Sequence, residues 1–190
     1  MLTQEQKNNN EIKFMEMLAM LNIDLTEISK LLDQLDYFNK PLTTQYSGAY
    51  PGGLCEYALR FAHELGILCN AYFPGRYSEA DVIKVALFKD IYKATMYEAY
   101  MKNTKDEETG QWVTVPAFKT KDGINRQVFG EFGFSSYMQI KDLVPLTTEQ
   151  IEAIVYSRIS DFAPDIYDVF KSYPLVTLVR MAEMAALYIG

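Results

Sequence analysis

An all-α fold, a compact bundle of helices with one small inserted β-hairpin, is the class this sequence predicts. Three observations predict it. Apolar residues recur at helical spacing along most of the chain. Capping signatures open several of those stretches. One segment, around Trp112, alternates apolar and polar residues instead, as a strand does.

Residues 1–10 read as a loose polar tail, and 11–190 as a single domain. From Glu11, Met15, Leu18 and Leu21 fall at helical spacing. Asp24 followed by Glu27 resembles a capping box. Leu25, Ile28, Leu31, Leu32, Leu35 and Phe38 then form an amphipathic stripe that Pro41 ends. The segment LTTQYSGAYPGG is a loop, and the Gly52–Gly53 pair leads into a long helix over about Leu54–Tyr72. FPGRYS is a turn. Ser78 caps a helix with Glu79 and Asp81 in its first turn. Val82, Val85, Ala86, Phe88 and Ile91 carry that helix onward to about Met101. NTKDEETG is turn-like, QWVTVPAF alternates, and KTKDG reads as a hairpin turn, which places the ribbon around 111–122. GEFGFSSYMQIKDLV returns to helix. Thr147 and Gln150 form another capping box, opening a helix through about Ile159. Pro164 and Pro174 suit the first turns of two more helices. The last of these, Pro174–Ile189, is apolar enough to be buried.

Composition narrows the function classes. A chain of 190 residues with 49% hydrophobic and 14% aromatic content can build one sizeable core. A net charge of −7 argues against non-specific binding to nucleic acid or anionic lipid, since both require a basic face. A phosphate-bearing small molecule held by a few local cations stays open. Cys55 and Cys69 are the two cysteines. They form no CxxC, and read as reduced, buried thiols of a cytoplasmic protein. No apolar run approaches the ~20 residues of a membrane span, and the polar N-terminus has no signal-peptide core. No nucleophile triad, Walker loop, dinucleotide fingerprint or zinc spacing is present.

Four segments carry a resemblance when taken together and in order: YSGAYPGGLCEYALRFA at 46–62, ALFKDIYKATMYE at 86–98, GEFGFSSYMQI at 130–140 and YPLVTLVRMAEMAALYI at 173–189. Over roughly residues 40–189 the chain is similar to HD-domain hydrolases of bacteriophage and bacterial genomes, including a Trp-containing hairpin between the second and third segments. The resemblance implies an HD-like helical bundle, a metal-dependent phosphohydrolase ancestry and a phage-type accessory protein, acting in the host cytoplasm or virion. In that family, neutral imidazoles and carboxylates hold a divalent cation that activates water and polarises a phosphoryl oxygen.

The match breaks at the histidines. Ser47 stands in the place of the loop histidine and Tyr57 in that of the next. Lys89 replaces the histidine of the His-Asp pair, leaving Asp90, and Lys93 keeps a common lysine. Phe134 and Ser157 occupy two further histidine positions. Arg180 and Glu183 stand where histidine and aspartate would be. Ser and neutral Tyr are poor ligands, and the cations Lys89 and Arg180 repel a divalent ion. The expectation is that they take over the metal's charge and pair with Asp90 and Glu183. Three readings follow. One is a pseudoenzyme that binds a protein partner as an assembly module, with no metal, cofactor or catalytic residue. Another is a phosphohydrolase with a rebuilt site using Asp90 and Glu183. The third is a nucleotide sensor that holds phosphate with Lys89, Lys93 and Arg180.

The remaining signals have plainer readings. His63, the only histidine, turns away from the Tyr57 face and reads as a packing or surface residue. The GAYPGG loop has the form of a phosphate cradle, though simple helix entry explains it as well. Met15, Met17, Met20, Met181 and Met184 read as core filling.

Overall fold

The computed structural model describes residues 2–106, 108–122, 132–158 and 166–189. These are mostly helical, with one antiparallel two-stranded ribbon. None of their helices is long and apolar enough to cross a membrane.

Helix α1 spans Gln4–Ala19, so two turns of helix replace the expected loose tail. The reason is a capping box: Thr3 Oγ1 accepts the Gln6 N–H at 3.1 Å, and Gln6 Oε1 accepts the Thr3 N–H at 2.8 Å. Phe14 and Leu18 then anchor the helix in the core. Helix α2, Leu25–Gln34, is capped by Asp24, whose carboxylate accepts the Thr26 and Glu27 N–H groups. Glu27 itself turns to Lys30 at 2.6 Å. A 3-10 turn at Tyr37–Asn39 follows.

Helix α3, Gly53–Tyr72, is the central element, packed on α1, on α4 (Glu79–Phe88) and on α9 (Pro174–Tyr188). Its inward residues Leu54, Tyr57, Phe61 and Leu65 are almost fully buried. The double glycine has a steric purpose. Gly52 has φ +85°, and a Cβ on Gly53 would lie 2.2 Å from the Gly48 carbonyl oxygen. That close approach locks the 42–53 loop against the helix start. The Gly53 and Leu54 N–H groups are already taken by the carbonyls of Tyr50 and Lys40, so those two donors of the supposed phosphate cradle are spent internally.

The largest departure from expectation follows α4. The helix ends at Phe88 instead of continuing to Met101, a short helix α5 covers Lys93–Met96, and β1 runs from Tyr97 to Lys105. Strand β2 spans Trp112–Thr120 and pairs with β1 from Tyr97↔Thr120 to Lys105↔Trp112. The ribbon therefore lies earlier than the expected 111–122. Between the strands, Asp106 Oδ1 accepts the N–H groups of Glu108 and Thr109. Met101, expected in a helix, sits in mid-strand. Lys119 and Thr120, expected in the turn, are paired residues.

Helix α6 spans Phe132–Ile140, α7 Thr148–Val155 with a 3-10 turn at Tyr156–Arg158, and α8 Ile166–Ser172. The expected end of α7 at Ile159 and the Pro164 helix start lie outside the described residues. α6 and α7 cross so closely that a Cβ on Gly133 would come within 2.1 Å of the Ile154 carbonyl oxygen. Pro174 opens α9 as expected.

The N-termini of α4, α7 and α9 are tied together by one polar network. Ser78 with Asp81 and Thr147 with Gln150 form capping boxes. Gln150 donates to Asp81 at 2.8 Å. Glu149 accepts from the Tyr77 hydroxyl at 2.7 Å and from the Leu175 N–H at 3.2 Å, with Arg76 at 3.4 Å. A carboxylate at the start of α9 complements both its free N–H groups and its dipole. Of the five methionines expected in the core, Met15 and Met17 pack against it, whereas Met20, Met181 and Met184 are exposed. Their helices present a second face to solvent, which spacing alone does not distinguish.

Cys55 and Cys69 are buried free thiols. Burial raises them from 9.0 to about 12 and about 11, with nearby carboxylates adding to the effect. In the unfolded chain they ionise first. The stability they contribute is complete below pH 9.0 and is lost as pH rises toward their folded values. Urea unfolding across this range is expected to show a midpoint that falls above pH 9, and a smaller fall in a Cys55→Ala variant.

Candidate functional site

The site forms where α4 ends. Lys89 is the C-cap residue of α4, its N–H bonded to Val85 O at 3.0 Å. The chain then turns sharply into α5, which directs Lys89, Asp90 and Lys93 inward. All three side chains are buried, Lys89 with 1% of its surface exposed. The ammonium of Lys89 bonds to Asp90 Oδ2 and lies 3.9 Å from Glu183 Oε2 on α9. The Lys93 ammonium lies 3.4 Å from Asp90 Oδ1. Among the described residues, these contacts bring two cations to two carboxylates.

Aromatic rings close the cluster from α3. Lys89 Nζ lies 4.6 Å from the ring centre of Phe61 and 5.3 Å from that of Tyr57, and Lys93 Nζ lies 5.8 Å from Tyr57. The negative faces of these rings favour a cation, most strongly where water is excluded. Tyr37 also borders the group: its hydroxyl is held well above the ordinary phenol value, chiefly by burial, then by Cys55 and Asp90.

Of the residues expected here, Tyr57, Lys89, Asp90, Lys93 and Glu183 come together. Ser47 and Phe134 lie on the surface, and Ser157 and Arg180 make other contacts. Ser47 is exposed on the loop before α3, with its carbonyl accepting from Thr43. Phe134 is 40% exposed on α6 beside Tyr137. Ser157 is buried, but its hydroxyl donates to Ile154 O at 2.7 Å, which closes the end of α7. Arg180 stacks over Phe170 of α8 at 5.0 Å. Among the described contacts, Lys89 reaches both carboxylates, Asp90 and Glu183.

Ser136 is the residue that sequence reasoning missed. Its hydroxyl donates to Lys89 O at 2.7 Å and accepts the Tyr92 N–H at 3.3 Å, which pins the α4–α5 turn from α6. The available signal was its place with Gly133 and Ile140 on one face of the helix, at i, i+3 and i+7. His63 is exposed in a groove with Lys13 and Arg60, away from the cluster.

The donor set does not fit the divalent metal that the resemblance implies. Asp90 and Glu183 supply oxygens, yet an ammonium already stands between them, and a second flanks Asp90. Among the described residues no group of three His, Cys, Asp or Glu side chains is arranged to hold an ion. Compared with protein-family models, curated proteins and solved structures, the chain matches none.

Removing the Lys89 charge deprives two buried carboxylates, Asp90 and Glu183, of the ammonium they have in common. Lys89→Met is expected to destabilise the protein by about 3–5 kcal/mol. Lys30→Met, at an exposed helical pair, is expected to leave the urea midpoint nearly unchanged.

Proposed function

We propose that this chain is a catalytically degenerate HD-domain-like scaffold that works as a binding or assembly module through protein contacts. The observation that carries the reading is the Lys89 ammonium, placed between Asp90 and Glu183. It supplies from within the positive charge that a divalent ion supplies in a metal hydrolase. An internal cation of this kind activates no water and leaves no open coordination position for a substrate. The same contacts weigh against phosphate capture, because Lys89 and Lys93 are buried and turned toward carboxylates. The surface offers more to a partner than the interior does. Trp112, Met101, Val113 and Val115 are all exposed on the ribbon, and aromatic and methionine side chains are enriched at interfaces.

The test is metal content. Protein purified without chelator, then dialysed against Mn²⁺ or Mg²⁺, is expected to carry well under one ion per chain and to melt at the same temperature with chelator present. A near-stoichiometric metal that disappears in Asp90→Ala would restore the phosphohydrolase reading. A melting temperature raised by nucleotides would favour the sensor, since only a ligand that prefers the folded state does this.

A further inference from the structure

Helix α1 buries Phe14 and Leu18 and leaves Ile12 55% and Met20 54% exposed. A helix with one stripe in the core carries polar residues on its other side when nothing covers it. These two apolar side chains break that rule. They belong to two different surfaces, one on each side of a crest at Glu16, which lines both.

The first surface is a strip on α1 itself. Asn8, Ile12, Met15 and Ala19 follow one another at i, i+4, i+7 and i+11, the spacing of a coiled-coil seam. Glu11 and Glu16 edge it. The second is a groove between α1 and α3. Met17 and Leu59, packed on the core, and the exposed Met20 give it an apolar lining. Lys13, Arg60 and His63 stand beside them, with Glu16 the one carboxylate among the described lining residues. Both surfaces are apolar within, and their edges differ in charge. Among the described residues, no ion pair takes up Glu11, Glu16, Lys13 or Arg60.

Charge selects what fits the groove. Nucleic acid or an anionic lipid surface would meet Lys13 and Arg60, but also Glu11, Glu16 and a net charge of −7. A helix whose apolar stripe is edged by carboxylates fits better, packed as a ridge into a groove. The α1 strip is such a helix face. One copy cannot bring its strip to its own groove, because both lie on the same helix, but two copies can. Two-fold pairing would set strip against strip, with the glutamates together, or groove against groove, with Lys13 and Arg60 facing their counterparts. Head-to-tail pairing of strip with groove matches the charges at each contact. It also leaves one strip and one groove open for further copies.

We propose that the acidic strip of α1 docks into the basic α1–α3 groove of a second copy of this chain, and that this contact repeats head to tail. Ile12 then enters the apolar lining, and Glu11 and Glu16 approach Lys13 and Arg60 of the second copy. This names the partner that the assembly-module reading leaves open, and so rests on that reading. Its test leaves the buried Lys89 cluster untouched, so the two fail separately: metal content judges one and molar mass the other. A strip on a single helix is small beside the roughly 1,000 Å² of a stable interface, so association is reversible and concentration-dependent.

The experiment is sedimentation equilibrium on the full chain up to on the order of 100 μM. The average mass is expected to rise from 21.8 kDa past twice that value, without levelling at a dimer. Ile12→Asp spoils the strip and leaves the groove intact. The double variant K13E/R60E spoils the groove and leaves the strip intact. Each alone is expected to weaken association about tenfold or more. An equimolar mixture of the two is expected to recover one good contact, giving a 1:1 pair at twice the monomer mass that extends no further. Circular dichroism confirms that each variant folds. Three results would overturn the proposal: a monomer at every concentration, a wild-type mass that levels at the dimer, or a mixture no more associated than its parts.

Discussion

A lysine ammonium buried to the extent of Lys89 must find counter-charges inside the protein or give up its proton, because desolvation of an isolated charge costs several kcal/mol. Here the requirement is met from two directions. Asp90, the next residue in the chain, takes one side, and Glu183 on α9 takes the other. The rings of Phe61 and Tyr57 on α3 supply a third wall that tolerates a cation. One side chain thus binds the end of α4, the central helix and the last helix. The sharp turn after Phe88 exists to deliver it, and Ser136 holds that turn from α6.

The rest of the bundle serves the same geometry. At the opposite end of α4, its N-terminus joins those of α7 and α9 through Asp81, Gln150 and Glu149. Helices α4 and α9 are therefore fixed at two points, a polar junction at their starts and an ion cluster further along. Such cross-links set helix register more sharply than apolar packing does, since a shift of one residue would strand a charge. The glycines at 53 and 133 permit two close backbone approaches, one beneath the entry to α3 and one where α6 crosses α7.

Much of this was legible in the sequence wherever the signal is local. Ser78, Thr147 and Pro174 mark helix starts because caps act within one turn, and Glu183 stands out as a carboxylate in an otherwise apolar helix, whereas Lys89 and Asp90 were singled out by the resemblance. Long-range geometry was not legible. Ser47 and Phe134 fell at positions suggested by resemblance, but nothing in their own chemistry draws them inward, and both are exposed. Nothing in the sequence singles out Tyr37 or Phe61, since a ring that faces a cation has the same spacing as one that faces leucine. β1 was misread because Tyr97, Tyr100 and Met101 continue a helical period from α4, while their strand pairing depends on β2, more than ten residues away. The tail was misread because a run of asparagines outweighed the Thr3–Gln6 box ahead of it.

The central claim is that Lys89 and Glu183 hold each other's charge across the bundle. A double-mutant cycle on unfolding free energy measures this directly, using Lys89→Met, Glu183→Gln and the pair together. A favourable coupling of about 1–3 kcal/mol is expected, with the double variant less destabilised than the sum of the single variants. Strict additivity would contradict the account, because it would mean that the Lys89 ammonium is not what neutralises Glu183.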